Sequence, residues 1–170
     1  MDLKQRIRHV PDFPKPGILF YDITTLLAEP DGFRTTVEIL AQPYRGQGID
    51  VVVGIESRGF ILGAAVAHAI GAGFVPIRKP GKLPSKALKE SYALEYGTDA
   101  LEIHADAVAP GARVVIVDDV LATGGTAAAA TRLVRAIGAN LIGLGFLIEL
   151  QALAGRSKLD GETVISALVY

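Results

Sequence analysis

One stretch constrains this chain more than any other: Val114-Val115-Ile116-Val117-Asp118-Asp119-Val120-Leu121-Ala122-Thr123-Gly124-Gly125-Thr126. Four successive apolar residues suit a strand covered on both faces, two carboxylates end it, and a turn of small residues follows. Ala127 to Ala130, then Leu133, Val134 and Ile137, continue as a helix that Gly138 can end. Ala122, Thr123, Gly124, Gly125 and Thr126 therefore sit where a helix leaves its first N–H groups unpaired. Such donors converge and the helix dipole favours an anion, so the turn suits a phosphate. Glycine adds positive φ and a close backbone approach to the ligand. Two carboxylates beside a phosphate would repel it, unless they face sugar hydroxyls or a divalent metal. A phosphorylated sugar with Mg²⁺ satisfies every group in the stretch. The plainer alternative is an αβ connection whose acids cap the next helix; the ordered occurrence of strand, acids, hydroxyls, glycines and helix weighs against it.

Several function classes are excluded. No Gly-Lys-Ser/Thr follows a glycine-rich loop, and Gly143-Leu144-Gly145 lacks the third glycine of a dinucleotide fingerprint. At 170 residues the chain is one domain with room for a real core, and 50% hydrophobic against 21% charged residues excludes disorder. A net charge of −1 gives no basic field, so no nucleic-acid partner is expected. The absence of cysteine removes disulfides, thiolate zinc sites and cysteine catalysis. His9, His68 and His104 show no metal-ligand spacing. The charged N-terminus is not a signal peptide. Gly59 to Ile77 lacks Asp, Glu, Lys and Arg, but His68, Gly71, Gly73 and Pro76 divide it into a helix and a short strand of the core. No membrane partner is expected, and the protein is read as soluble and cytoplasmic.

Along the chain, the first thirty residues are irregular and punctuated by Pro11, Pro14, Pro16 and Pro30. Asp31-Gly32 opens a helix through Leu40 that Pro43 ends or kinks. Val51–Ile55 reads as a strand, then a helix to about Ile70, then a strand at Phe74–Ile77. Arg78 to Gly97 reads as a basic loop, and Leu101–His104 alternates like a strand. The stretch described first and its helix come next, followed by strands at Leu141–Leu150 and Thr163–Val169. Alternating strands and helices predict a parallel α/β sheet with right-handed crossovers, and ligands collect at the carboxyl ends of such strands. That rule gathers Glu56–Gly59, Arg78–Lys82 and Asp118–Thr126 at one edge. There Ser57, Arg58, Arg78, Lys79 and Lys82 offer donors suited to a polyphosphate. A sugar with a 5′-phosphate at one end and a pyrophosphate at the other fits. The basic loop reads equally as a solvated surface segment or as a mobile lid over about residues 79–97.

The acid pair with Ala122-Thr123-Gly124-Gly125-Thr126 resembles the phosphoribosyl-diphosphate motif of type I phosphoribosyltransferases. Four further segments resemble the adenine phosphoribosyltransferase family: Phe13-Pro14-Lys15-Pro16-Gly17-Ile18-Leu19-Phe20, Glu56-Ser57-Arg58-Gly59-Phe60, Arg78-Lys79-Pro80-Gly81-Lys82-Leu83-Pro84 and Leu94-Glu95-Tyr96-Gly97-Thr98. The resemblance covers nearly the whole chain. It implies one α/β domain over residues 1–170, a central mostly parallel sheet flanked by helices, with an N-terminal hood over about residues 1–30. It also implies a homodimer. The implied reaction joins adenine to 5-phosphoribosyl 1-diphosphate, giving AMP and pyrophosphate, with Mg²⁺ carried by the diphosphate rather than bound directly by side chains.

By the same resemblance, Ala122 to Thr126 hold the 5′-phosphate and Asp118 and Asp119 engage the ribose hydroxyls, directly or through metal-bound water. Neighbouring strand residues face opposite ways, so the strand is expected to end near Asp118 if both acids are to reach the ligand. Ser57, Arg58, Arg78 and Lys79 are assigned to pyrophosphate, and the family implies a non-proline cis peptide joining Glu56 to Ser57. Arg58, Lys82 and Glu95 are the implied catalytic residues, with Glu95 the acid/base near the purine and Tyr96 beside it. The adenine slot is implied between Leu19 and Val120, with Phe20 main-chain groups reading the exocyclic amine. Tyr21 stands where the family commonly has arginine, and Val120 where it commonly has leucine. The segment from Pro43 to Gly48 is atypical and remote from the motifs. A 6-oxo purine substrate would need donors at O6 that the sequence does not offer, and a nucleic-acid-binding regulator on this fold would need an added basic segment.

Overall fold

The computed structural model describes residues 1–94 and 96–170. Its centre is a five-stranded sheet of β3 (Val51–Ile55), β4 (Gly73–Ile77), β7 (Arg113–Leu121), β8 (Asn140–Glu149) and β9 (Val164–Val169). The spatial order is β4-β3-β7-β8-β9, and every pair is parallel. Strand β7 lies in the middle and is buried along most of its length, as a near-continuous apolar run requires.

Two faces of the sheet carry two cores. Helices α2 (Pro30–Ala41) and α3 (Arg58–Ile70) cover one, where Leu40, Leu62 and Val66 meet Val115 and Val117. Helix α4 (Gly125–Ala136) covers the other, where Ala130, Leu133 and Val134 meet Val114 and Ile116. Odd and even residues of β7 thus feed opposite cores, the two-residue period of a strand. Pro30 stands at the first turn of α2 rather than in an irregular lead-in, a position where its missing N–H costs nothing. Beyond α2, a short 3₁₀ turn sends Tyr44 into the core against Gly143 and Gly145, which accounts for the atypical segment after Pro43.

Two expectations are corrected. The first thirty residues are not irregular throughout: β1 (Arg8–Pro11) and β2 (Leu19–Asp22) form an antiparallel hairpin followed by a one-turn helix, α1 (Thr24–Leu27). The basic segment from Arg78 is loop only in part, because β5 (Ala87–Ala93) pairs antiparallel with β6 (Thr98–His104). Burial alternates from Leu88 onward along β5, with Leu88, Glu90 and Tyr92 turned inward and Lys89, Ser91 and Ala93 exposed. This hairpin lies against α4, placing it over the turn that opens that helix. Among the described residues no helix is long and apolar enough to cross a membrane.

Candidate active site

Strand β7 delivers both acids and the turn that follows them. It does not end near Asp118: β8 continues beside it and pairs Asp118 with Phe146, Val120 with Ile148 and Leu121 with Glu149. Both carboxylates nonetheless lie near the start of α3, where a Cβ on Gly59 would sit 2.7 Å from Asp118 Oδ1. Asp118 also lines a small cavity with residues 120–127. Asp119 forms an ion pair with Arg58, the first residue of α3. Both acids are nearly buried. Burial, and next the negative charge of Asp119, push the Asp118 carboxyl well above the usual carboxylate range. The Asp119 N–H donates to Asp118 Oδ1 at 2.9 Å and opposes that rise only in part.

The turn itself has an open helix end. Gly124 occupies the N-cap of α4 at φ +85°, and no side chain caps the helix. The first-turn N–H groups of α4 have no acceptor within their own helix. The turn rests on a glycine not singled out from the sequence. A Cβ on Gly124 would lie 2.4 Å from the Gly155 carbonyl oxygen, and one on Gly155 would lie 2.4 Å from that of Ala122. Two glycine backbones thus meet with no space between them. Arg156 fixes the second, donating from Nε and Nη2 to the two oxygens of Glu149, each at 2.8 Å. That fork draws the Glu149 carboxyl below its ordinary range. A Gly-Arg pair thirty residues beyond the turn carries no local motif, so only the fold discloses it.

The cationic edge is built from side chains. Ser57 is the N-cap residue of α3, and the peptide joining Glu56 to it is cis. Glu56 gathers the basic segment: it accepts from Lys82 Nζ at 2.7 Å, from the Lys79 main-chain N–H at 2.8 Å and from Arg78 Nη2 at 3.4 Å. Burial raises its pKa most, but the three donors together outweigh burial and hold the carboxyl at about 2. Lys79 Nζ pairs with Asp99, and Tyr92 Oη lies 3.3 Å from the same ammonium. Burial lowers Lys79, and the Asp99 and Tyr92 hydrogen bonds outweigh it to raise the ammonium's pKa. Arg58, Arg78, Lys79 and Lys82 are therefore brought to one edge, each already facing a carboxylate. The sequence pointed to the cations but not to Glu56, Asp99 or Tyr92 as their partners.

Beside the turn and the β5–β6 hairpin opens a cleft of about 710 Å³, lined by Lys15, Tyr92, Tyr96, Thr123, Thr126 and Lys158, among others. Lys15 and Lys158 were not anticipated. Tyr96 is largely exposed there, with Lys15 Nζ 5.6 Å from its ring centre. Glu95, the expected acid/base, lies outside the described residues. At the hood, Phe20 turns its ring toward Arg58, whose guanidinium carbon is 5.5 Å from the ring centre. Leu19 and Tyr21 occupy the opposite face of β2. Leu19 is exposed, whereas Tyr21 packs on Tyr170 and His9 and joins the apolar cluster that includes Val120.

The comparisons with known proteins agree with this geometry. Residues 22–166 match the family model described as the phosphoribosyl transferase domain. An adenine phosphoribosyltransferase of Solibacter usitatus is 60% identical over 169 residues, covering 99% of this chain and 98% of that protein. The chain belongs to the adenine phosphoribosyltransferase family. The crystal structure of the Rhodothermus marinus adenine phosphoribosyltransferase superposes with a TM-score of 0.94 at 56% identity, covering 99% of this chain and 96% of that one. The Saccharomyces cerevisiae adenine phosphoribosyltransferase, solved in complex with an imino-altritol bisphosphate and adenine, matches at 44% identity and a TM-score of 0.93 over 98% of this chain and 97% of that one. Membership makes the protein a pentosyltransferase of α/β fold, as the sequence reading expects.

Proposed function

We propose that the turn from Ala122 to Thr126 seats the 5′-phosphate of 5-phosphoribosyl 1-diphosphate while Arg58, Arg78, Lys79 and Lys82 take its diphosphate. The family's reaction passes the ribosyl 5-phosphate to N9 of adenine, giving AMP and pyrophosphate. The C1′–O bond breaks with its electron pair leaving on pyrophosphate, the C1′–N9 bond forms, and N9 gives up its proton. One observation carries this reading: an uncapped helix end and a cluster of four cations flank the same pair of nearly buried acids. A ligand with a phosphate at each end and hydroxyls between them matches that sequence of groups.

Asp118 and Asp119 accept from the ribose hydroxyls. Arg58 and Lys82 stabilise the charge that gathers on the leaving group, and Ser57, Arg78 and Lys79 hold its oxygens. Among the described residues no three or more His, Cys, Asp or Glu side chains stand close enough to cage a metal ion. Two carboxylates remain beside the ligand, the hard oxygen donors that suit a partly hydrated Mg²⁺ arriving with the diphosphate. Asp118 and Asp119 would hold such an ion, which would supply charge neutralisation on the diphosphate. Glu95 is assigned the proton movement on the purine, and Tyr96 a place beside it, on their positions in the sequence.

Adenine is assigned to the Leu19 side of β2. Strand β2 has a partner on one edge only, so main-chain groups such as those of Phe20 remain open to a base. Leu19 and Val120 supply apolar walls, as a neutral purine needs. The segments 1–30 and 79–97 act as hood and lid around this slot, and the enzyme works as a cytoplasmic homodimer. The test is pyrophosphate release with phosphoribosyl diphosphate, Mg²⁺ and each common purine base in turn. Turnover with adenine alone is the expected result. Turnover confined to a 6-oxo purine would discard the adenine slot and keep the phosphate sites; none with any base would sink the whole assignment.

A further inference from the structure

Tyr92 joins the two phosphate edges through a single oxygen. Its hydroxyl lies 3.3 Å from Lys79 Nζ, 3.3 Å from Asp99 Oδ2 and 3.3 Å from Thr126 Oγ1. A phenol has one proton to give and two lone pairs to receive with. The set closes in one way: Lys79 and Thr126 donate to the oxygen, and the oxygen donates to Asp99. Every hydrogen-bonding position of the phenol is then used. The ring is also wedged against the turn, with Cδ2 3.2 Å from where a Gly125 Cβ would sit. Asp99 is the cross-strand partner of Tyr92 in the β5–β6 hairpin, so strand pairing presents both groups together.

Lys79 and Thr126 belong to opposite ends of the proposed substrate. We propose that Tyr92 is a positioning residue that fixes the distance between the 5′-phosphate seat and the diphosphate cations, so that one molecule carrying both groups binds more tightly than either group alone. This inference rests on the phosphate assignments made above. A ligand spanning two sites gains from both only when the protein holds them at the ligand's own spacing. Without the hydroxyl, Lys79 keeps Asp99 and the turn keeps its main-chain donors, so each site survives singly. What is lost is the tie between them.

The experiment compares the wild-type chain with Tyr92→Phe by calorimetric titration in Mg²⁺, without adenine. Three ligands are titrated separately: phosphoribosyl diphosphate, inorganic pyrophosphate and ribose 5-phosphate. The Phe variant should bind phosphoribosyl diphosphate at least about 5-fold more weakly. Its Kd values for the two single-ended ligands should stay within about 2-fold, and its adenine KM should not move. Unchanged affinity for phosphoribosyl diphosphate overturns the inference, as does a loss shared equally by the single-ended ligands. A wild-type protein that binds none of the three overturns the phosphate assignments themselves, which is a separate result.

Discussion

At the turn 122–126 the donors are main-chain N–H groups held by packing, whereas at the cationic edge they are mostly long side chains already committed to carboxylates. The difference reaches the acids as well. Asp118, beside the turn, is buried near another negative charge and driven upward. Glu56, beside the cations, is held at about 2 by the groups it neutralises. A site made of peptide dipoles needs no counter-ion and tolerates no movement. A site made of charged side chains has to be neutralised while empty, and it binds an anion by exchanging one partner for another. One construction suits the end of the substrate that stays with the product nucleotide; the other suits the end that leaves.

The rigid side should break first. Gly155→Ala introduces a Cβ 2.4 Å from the Ala122 carbonyl oxygen, which cannot retreat without moving the turn, and 2.9 Å from Leu121 Cδ1. Overpacking of this kind should cost about 3 kcal/mol of stability. Displacing the turn should lower turnover roughly 100-fold even in protein that remains folded. Denaturant melts and single-turnover assays measure both. Wild-type behaviour in the two would show that the turn is more pliable than its contacts indicate.

Asp118→Asn separates stability from activity. Because the folded-state pKa is raised, the native protein holds a proton that the unfolded chain has released. That favours folding at acid pH, and the advantage is lost as pH rises through the folded value. Above it, a charge is confined beside Asp119. The variant should therefore melt higher than wild type at neutral pH, with the gap closing toward acid, while turnover falls on the order of 10- to 100-fold. A variant less stable than wild type at neutral pH would mean that Asp118 is ionised and well paired.

Glu56→Gln probes the exchangeable side, with a smaller effect. The amide can still accept from the Lys79 N–H, but it no longer competes as an anion for Lys82 and Arg78. Pyrophosphate should bind about 2- to 5-fold tighter, the scale of a partly exposed ion pair. The sign with pH is opposite to that of Asp118. A carboxyl depressed from 4.5 to about 2 stabilises the fold fully above the first value and stops doing so as pH falls through the second. That part of the acid unfolding limb should disappear in the variant. Weaker pyrophosphate binding would show that Glu56 orders the cations rather than competing for them.

The same contrast explains how far the sequence could be read. The turn is encoded by neighbours: a buried strand, two acids, glycines and a helix follow one another within about a dozen residues, and their order implies their geometry. Tyr92 and Asp99 are separated by a hairpin whose first strand is visible only as a weak alternation across Leu88, Glu90 and Tyr92. Gly155 supports the turn from thirty residues away, and nothing in its own surroundings marks it. Strand β7 runs past Asp118 because β8 lies alongside it, a tertiary fact that the local pattern does not contain. Local chemistry was legible; the partners supplied by folding were not.

Tyr21→Arg tests whether the hood belongs to either phosphate edge. The Tyr21 ring centre is 4.3 Å from that of Tyr170 and 5.1 Å from that of His9, on the face of β2 away from Arg58 and the cations. Removing these aromatic contacts should cost about 0.5–1.5 kcal/mol. The new guanidinium lies on the Leu19 side, so the KM for adenine should respond. The KM for phosphoribosyl diphosphate should stay within about 2-fold, because no phosphate donor on either edge is touched. A larger shift in that constant would place the hood within reach of the diphosphate, and the division between a main-chain edge and a side-chain edge would need a third member.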